Sequence, residues 1–213
     1  MTFAGMLIWA ACCAGAETAA MKYWVLPHRE VSVRFRRWLL ALAMAGGGLG
    51  GWLAVAQNGT IPYQIRMLCV FVALGAAAVV DLLRKKIPNG CPLAILAAVG
   101  MCTALDIAFA PESALSLIAG ELVGGLGMLA CLLLCRLISR GGIGVGDIKL
   151  VSAIGLAMGL YGSVLVLLCA QAAAVVAAVI LLASKRADWK DSVPFAPFLW
   201  VGMLVQLALY NLI

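Results

Sequence analysis

The chain has nine acidic side chains and one histidine. His28 lies in a basic stretch and reads as a solvated surface residue. No Ser-His-Asp or Cys-His arrangement can be drawn around it. Any chemistry therefore falls to the acids. Glu17, Glu30, Asp188 and Asp191 sit at or near one end of the apolar segments described below, and Asp106 and Glu112 near the other. Three acids remain at membrane depth, where a carboxylate is costly and counts as a functional candidate by default. Of these, Glu121 lies about two turns inside the outer end of its segment and reads as an interior packing residue with one hydrogen-bonded proton. Asp81 and Asp147 lie at matching depth on different segments, where both can reach one water. In such a pair the ionised carboxylate takes a proton from the water while its protonated partner donates a hydrogen bond to a scissile carbonyl. Two like charges held close cannot both ionise, so the pair shares a proton. Plainer readings use the same residues: a buried acid paired with Lys149 or Arg84, or a proton-relay carboxylate of a transporter. Depth and spacing alone leave these open.

The elements that must position the acids are read from composition. Of 213 residues, 65% are hydrophobic and 11% charged, against roughly 45–50% and 25% in a soluble domain. This is an integral membrane protein, and no linker-like tract divides it, so residues 1–213 form one domain. A bilayer core about 30 Å thick needs roughly 20 helical residues. Apolar runs of that kind cover about 3–21, 38–56, 66–84, 91–110, 113–135, 145–161, 163–183 and 195–212, which predicts an all-α bundle of about eight transmembrane helices. Residues 1–20 contain no Lys or Arg, so they read as a retained first helix rather than a cleaved signal. A short basic loop, 22–37, then leads into the bundle proper, 38–213. With eight crossings, every Lys and Arg of the chain's 15 except Arg66 falls on one side. The positive-inside rule makes that side cytoplasmic and places both termini outside.

The net charge of +6 follows from these clusters, which lack the aromatic interleaving of a nucleic-acid surface. Membrane lipid is the expected partner, and nucleic acid is not. Most of the eight cysteines lie in apolar runs as small packing residues, and no CxxC occurs, so no metal site is expected. Gly120/Gly124 and Gly155/Gly159 recur at the four-residue spacing that lets helices approach closely in lipid.

Local sequence narrows the reading of the acids. The first reads Asp81-Leu-Leu-Arg-Lys-Lys-Ile87-Pro88-Asn89, and the second Gly144-Val-Gly146-Asp147-Ile-Lys149-Leu150. Near the end comes Val193-Pro194-Phe195-Ala196-Pro197-Phe198-Leu199. Three motifs in this order, each at an expected helix boundary, resemble the type IV prepilin peptidases and archaeal preflagellin peptidases. In that family the first Asp precedes Ile-Pro-Asn, the second lies in Gly-x-Gly-Asp, and the last helix opens with Pro-Phe-Gly-Pro. The resemblance implies an aspartic endopeptidase without cofactor, in the inner (cytoplasmic) membrane, that cuts the basic leader from prepilin-like proteins at the cytoplasmic face. Asp81 and Asp147 would be catalytic, with Gly144, Gly146, Lys149, Pro88, Asn89, Pro194, Phe195 and Pro197 positioning them or the substrate. Two rivals stand beside it: a proton-coupled transporter, and an inactive assembly protein of the same fold. A transporter should show an internal repeat and acids nearer the midplane.

Physical roles can be attached to these motifs. The glycines before Asp147 allow an extended strand to approach. Pro88 is expected to end one helix and Asn89 to cap the next. Pro194 and Pro197 should loosen the start of the last helix and free backbone groups for substrate. Lys149 can hold substrate, tune Asp147 or snorkel to headgroups. The chain departs from its family twice. Ala196 replaces the usual glycine, and residues 22–37 lack the cysteine-bearing insertion that accompanies methyl transfer in longer members, which implies a peptidase-only form.

Overall fold

The computed structural model describes residues 3–27, 31–56, 60–185 and 193–211, and every regular element among them is helical. His28, Arg29, Glu30, Arg186, Asp188, Lys190 and Asp191 lie outside the described residues. The helices are α1 (Phe3–Ala20), α2 (Val33–Ala56), α3 (Ile61–Arg84), α4 (Gly90–Phe109), α5 (Ala114–Ile138), α6 (Val145–Ala183) and α7 (Ala196–Tyr210). A wide turn, Met21–Val25, continues α1, and a short tight one, Pro111–Ser113, leads into α5. Four stretches are long and apolar enough to cross a membrane: α3, α4, Pro111–Ile138 and α6. The chain is thus built as a multi-pass membrane protein.

Seven helices form rather than about eight, because the apolar runs 145–161 and 163–183 are joined in α6. That 39-residue helix leaves helical geometry only at Gly159, whose φ of 70° and ψ of −178° fall in a region reserved for glycine. A straight helix would carry Gln171 about 36 Å beyond Asp147, yet both line one cavity of about 640 Å³. The two arms of α6 therefore fold back on each other at Gly159. The expected glycine pattern does its packing beside this hinge: a Cβ at Gly124 would collide with the backbone of Gly155 and Gly159, whereas one at Gly120 would meet nothing. Contact between α5 and the first arm of α6 is backbone on backbone, as small residues permit in lipid.

At the centre stands α3, with 72% of its most apolar window buried in the protein against 11% for α6. Its Met67, Val70, Phe71 and Leu74 are fully enclosed, and Phe71 packs on Trp9 of α1 and Trp200 of α7. Near its start, buried Arg66 donates from Nη1 to Glu121 Oε1 at 2.6 Å and from Nη2 to Asp106 Oδ2 at 3.1 Å. Thr103 Oγ1 accepts from Arg66 and donates to Glu121. Glu121 is therefore an ion-paired residue joining α5 to α3 and α4, not an acid holding its own proton as its depth implied. Removing one partner of such a buried pair costs about 3–5 kcal/mol, because the other charge is left uncompensated.

Other expectations shift as well. Helix α3 stops at Arg84, four residues before Pro88, and the next residue, Lys85, whose left-handed backbone (φ 51°, ψ 40°) closes the last turn, donates its N–H to Asp81 O. The stop thus comes from a C-cap turn and not from proline. Asn89 precedes α4, but its side chain caps nothing. Glu17, in the last turn of α1, is also buried between helices; its Oε2 and Trp200 Nε1 are enclosed without hydrogen-bond partners among the described residues. Both lie beside Gly75.

Gly159→Ala should lower the stability of the detergent-solubilised protein by roughly 1–3 kcal/mol, since alanine cannot adopt that backbone without strain. Gly120→Ala, on an open helix face, should be neutral or stabilising by up to about 1 kcal/mol. Thermal melts of the two variants check this; equal melting would remove the hinge.

Candidate active site

Asp81 is placed by the last turn of α3. Its carboxyl points into the bundle, is buried, and accepts a hydrogen bond at Oδ2 from the backbone N–H of Ala196 at 3.0 Å. The N–H of Phe195 also reaches it. The Pro-Phe-Ala-Pro stretch explains this arrangement. Phe195 is the residue before α7, Ala196 its first and Pro197 its second. A helix start leaves its first N–H groups unpaired, and Pro197 has none to offer. The N–H of Ala196 takes the Asp81 carboxylate, an anion at the positive end of a helix. Backbone groups freed by the prolines are thus spent on Asp81, not left open for substrate as the sequence led one to expect.

Asp147 is placed by the first turn of α6, with Gly144 just before that helix. A Cβ at position 144 would stand 2.7 Å from Asp147 Oδ2, and one at 146 would stand 3.1 Å from Ile87 Cβ. Each glycine of Gly-x-Gly-Asp therefore clears a different obstacle: the first makes room for the carboxyl, the second lets the loop seat against the Ile87-Pro88-Asn89 link. Arg136, in the last turn of α5, donates to Ile143 O and holds the loop's far side.

Asp81 and Asp147 line the same cavity and are near enough to interact through charge. Ile87, Asn89, Gly144, Gly146, Lys149, Pro194 and Phe195 line it too; Pro88 lies between two lining residues in the chain, and Pro197 two positions past the last of them. Lys85 and Lys86 line it as well, without an ion pair to either aspartate, and two further cations are engaged by other groups. Lys149 Nζ donates to Asn89 Oδ1 at 3.3 Å, which ties the start of α6 to the start of α4, and Arg84 Nη1 donates to Trp24 O at 2.6 Å. Among the described residues the only ion pairs are those of Arg66, so neither Asp81 nor Asp147 is paired with Lys149 or Arg84. Nor do the described residues gather three potential metal ligands.

Two carboxyls from different helices, neither paired with a cation among the described residues and both facing one cavity beside the glycine-rich loop, are equipped for acid-base work on a bound water. Residues 68–182, more than half of the 213, match the type IV leader peptidase family. The chain belongs to that family. No curated protein and no solved structure matches it. As a leader peptidase it is a protease by kind, and the match takes in both aspartates while ending before Val193.

The cavity also includes residues that motif reading passed over. Leu167 and Gln171 reach it from the second arm of α6. A signal for Gln171 was present, since it is the one polar side chain other than Cys169 between Ser163 and Ser184. A fold-back at Gly159 was needed to see where it lands.

Gly144→Ala should displace the Asp147 carboxyl by the order of an ångström and cut turnover of a prepilin-like peptide roughly 100-fold. Its melting temperature should stay within a few degrees of the parent's. Normal turnover would show that the carboxyl does not need the space.

Proposed function

We propose that this chain is an aspartic endopeptidase that removes the basic leader from type IV prepilin-like proteins at the cytoplasmic face of the membrane. The carrying observation is the pair itself: Asp81 and Asp147, from α3 and α6, share a cavity with no cation paired to either among the described residues. In the proposed cycle one carboxylate removes a proton from a water, which attacks the scissile carbonyl. The other carboxyl, protonated, donates to the carbonyl oxygen as charge develops there, and then the leaving amine collects a proton. With Asp81 Oδ2 engaged by Ala196 N–H, Oδ1 is the oxygen left for the reaction.

The orientation of the chain supports the cytoplasmic side. Lys85, Lys86 and Lys149 flank the cavity, and positive residues mark cytoplasmic ends. The segment between the first two helices favours cleavage without methylation. The turn after α1 runs to Val25 and α2 begins at Val33, so nine of residues 22–37 already belong to those two elements. Segments below roughly 40 residues need disulfides, a metal or a partner to fold on their own. Residues 22–37 carry five Lys and Arg, which suits anionic headgroups better than a cationic methyl donor.

Purified protein incubated with a synthetic peptide carrying a basic leader and the following apolar helix should release the leader. Asp81→Asn and Asp147→Asn should each reduce turnover by at least roughly a thousandfold while folding normally, because an amide can neither activate water nor share the proton. Near-normal turnover by either would take that residue out of the reaction.

With S-adenosylmethionine present and no other enzyme, mass spectrometry should find a mature product with a free amine. A product heavier by one methyl group would overturn the peptidase-only reading.

A further inference from the structure

Gln171 lies in the middle of an apolar arm, yet its side chain is exposed to the same cavity as the two aspartates. Its depth follows from the hinge. Asp147 and Gln171 stand 12 residues on either side of Gly159, so folding α6 back there returns Gln171 to the level of Asp147. Several polar groups around the cavity are engaged: Asp81 Oδ2 by Ala196 N–H and Lys149 by Asn89, with Arg136, behind the loop, held by Ile143 O. The Gln171 carboxamide has no hydrogen-bond partner among the described residues.

A substrate whose cut lies beside an apolar helix must unwind at least one turn for its carbonyl to be reached. Each unwound residue exposes an N–H and a C=O that the helix had satisfied, and at membrane depth little water replaces those bonds. A carboxamide presents N–H donors and a carbonyl acceptor, and so can answer both the C=O and the N–H of a peptide unit. It can pair with one exposed backbone group or with both groups of one residue. Being neutral, it does so without drawing the proton or the charge of the aspartates.

We infer that Gln171 is a substrate-positioning residue whose carboxamide hydrogen-bonds the unwound backbone of the substrate beside Asp81 and Asp147. The inference rests on the proposed peptidase activity and adds a specific contact to it. Such a contact reads backbone rather than side chains, so it serves substrates of varied sequence provided they can unwind at this depth.

The test uses the full chain in detergent micelles with the synthetic leader peptide, and with versions in which single amides flanking the scissile bond are replaced by esters. Gln171→Leu should raise KM roughly tenfold with kcat within about twofold, as expected for a contact made equally in ground and transition states. One ester peptide should cost the wild type roughly tenfold in kcat/KM and cost Gln171→Leu nothing further. Gln171→Met, which keeps an unbranched chain, should match the leucine variant if packing is not at issue. Unchanged KM in both variants, or equal ester penalties in wild type and variants, would overturn the inference while leaving the peptidase intact. Absence of any cleavage by the wild type would instead overturn the peptidase reading, and the inference with it.

Discussion

The hydrogen bond from Ala196 N–H to Asp81 Oδ2 fixes more of this structure than any other single contact. It joins the end of α3 to the beginning of α7, two helices 115 positions apart in sequence. An anion at a helix start is worth about 0.3–1 kcal/mol at a surface and up to about 2 kcal/mol where partly buried. Because it ties a side chain of one helix to the backbone of the other, the bond constrains rotation of both helices. That constraint reaches the core through Trp200, one turn further along α7, which packs on Phe71. It also accounts for alanine where the family has glycine. The group in use is a backbone N–H at the first position of a helix, and any residue except proline supplies it.

A second constraint sets where α6 goes. Gly124 and Gly155 bring the backbones of α5 and α6 together, and Gly159 then turns the chain at a point where only glycine fits. The reversal happens at the depth of Glu121, about 10 Å short of the outer end of α5. One result is the second cavity, lined by Arg66, Asp106, Glu121 and Gly159, in the space a longer arm would have filled. Another is that the second arm comes back down beside the first, bringing Leu167 and Gln171 to the aspartates. Sequence position thus becomes active-site position through one backbone angle.

Much of this was legible in the chain. Apolar runs located the helices to within a few residues, and the three motifs marked the surroundings of Asp81 and Asp147 because close approach of backbone to backbone or to carboxyl demands particular residue types. What stayed hidden depended on partners distant in sequence. Nothing local to Glu121 says that Arg66 lies beside it, since the two meet only when α3 and α5 pack. Helix count differs for another reason: the apolar runs 145–161 and 163–183 read as two helices, and the chain does turn close to where they divide, but it does so through one backbone angle at Gly159 inside a single continuous element. Asn89 and Pro88 were assigned to capping and stopping by their local propensities, but a left-handed turn at Lys85 and the reach of Lys149 took precedence.

The two ends of the bundle treat buried charge in opposite ways, which bears on how the aspartates are read. At the outer end, Arg66 satisfies two carboxylates at once, and Thr103 links them further. That is how this chain builds an acid into its structure: it supplies the cation. At the other end there is no shortage of cations, with Arg84, Lys85 and Lys149 all within a few residues of an aspartate. Yet Arg84 is turned to a carbonyl and Lys149 to an amide oxygen. Burying carboxyls without their available partners lowers stability, so a purely structural role for Asp81 and Asp147 would leave that cost without a return. Chemistry that needs one shared proton, and would lose it to an adjacent ammonium or guanidinium, supplies the reason to keep them apart.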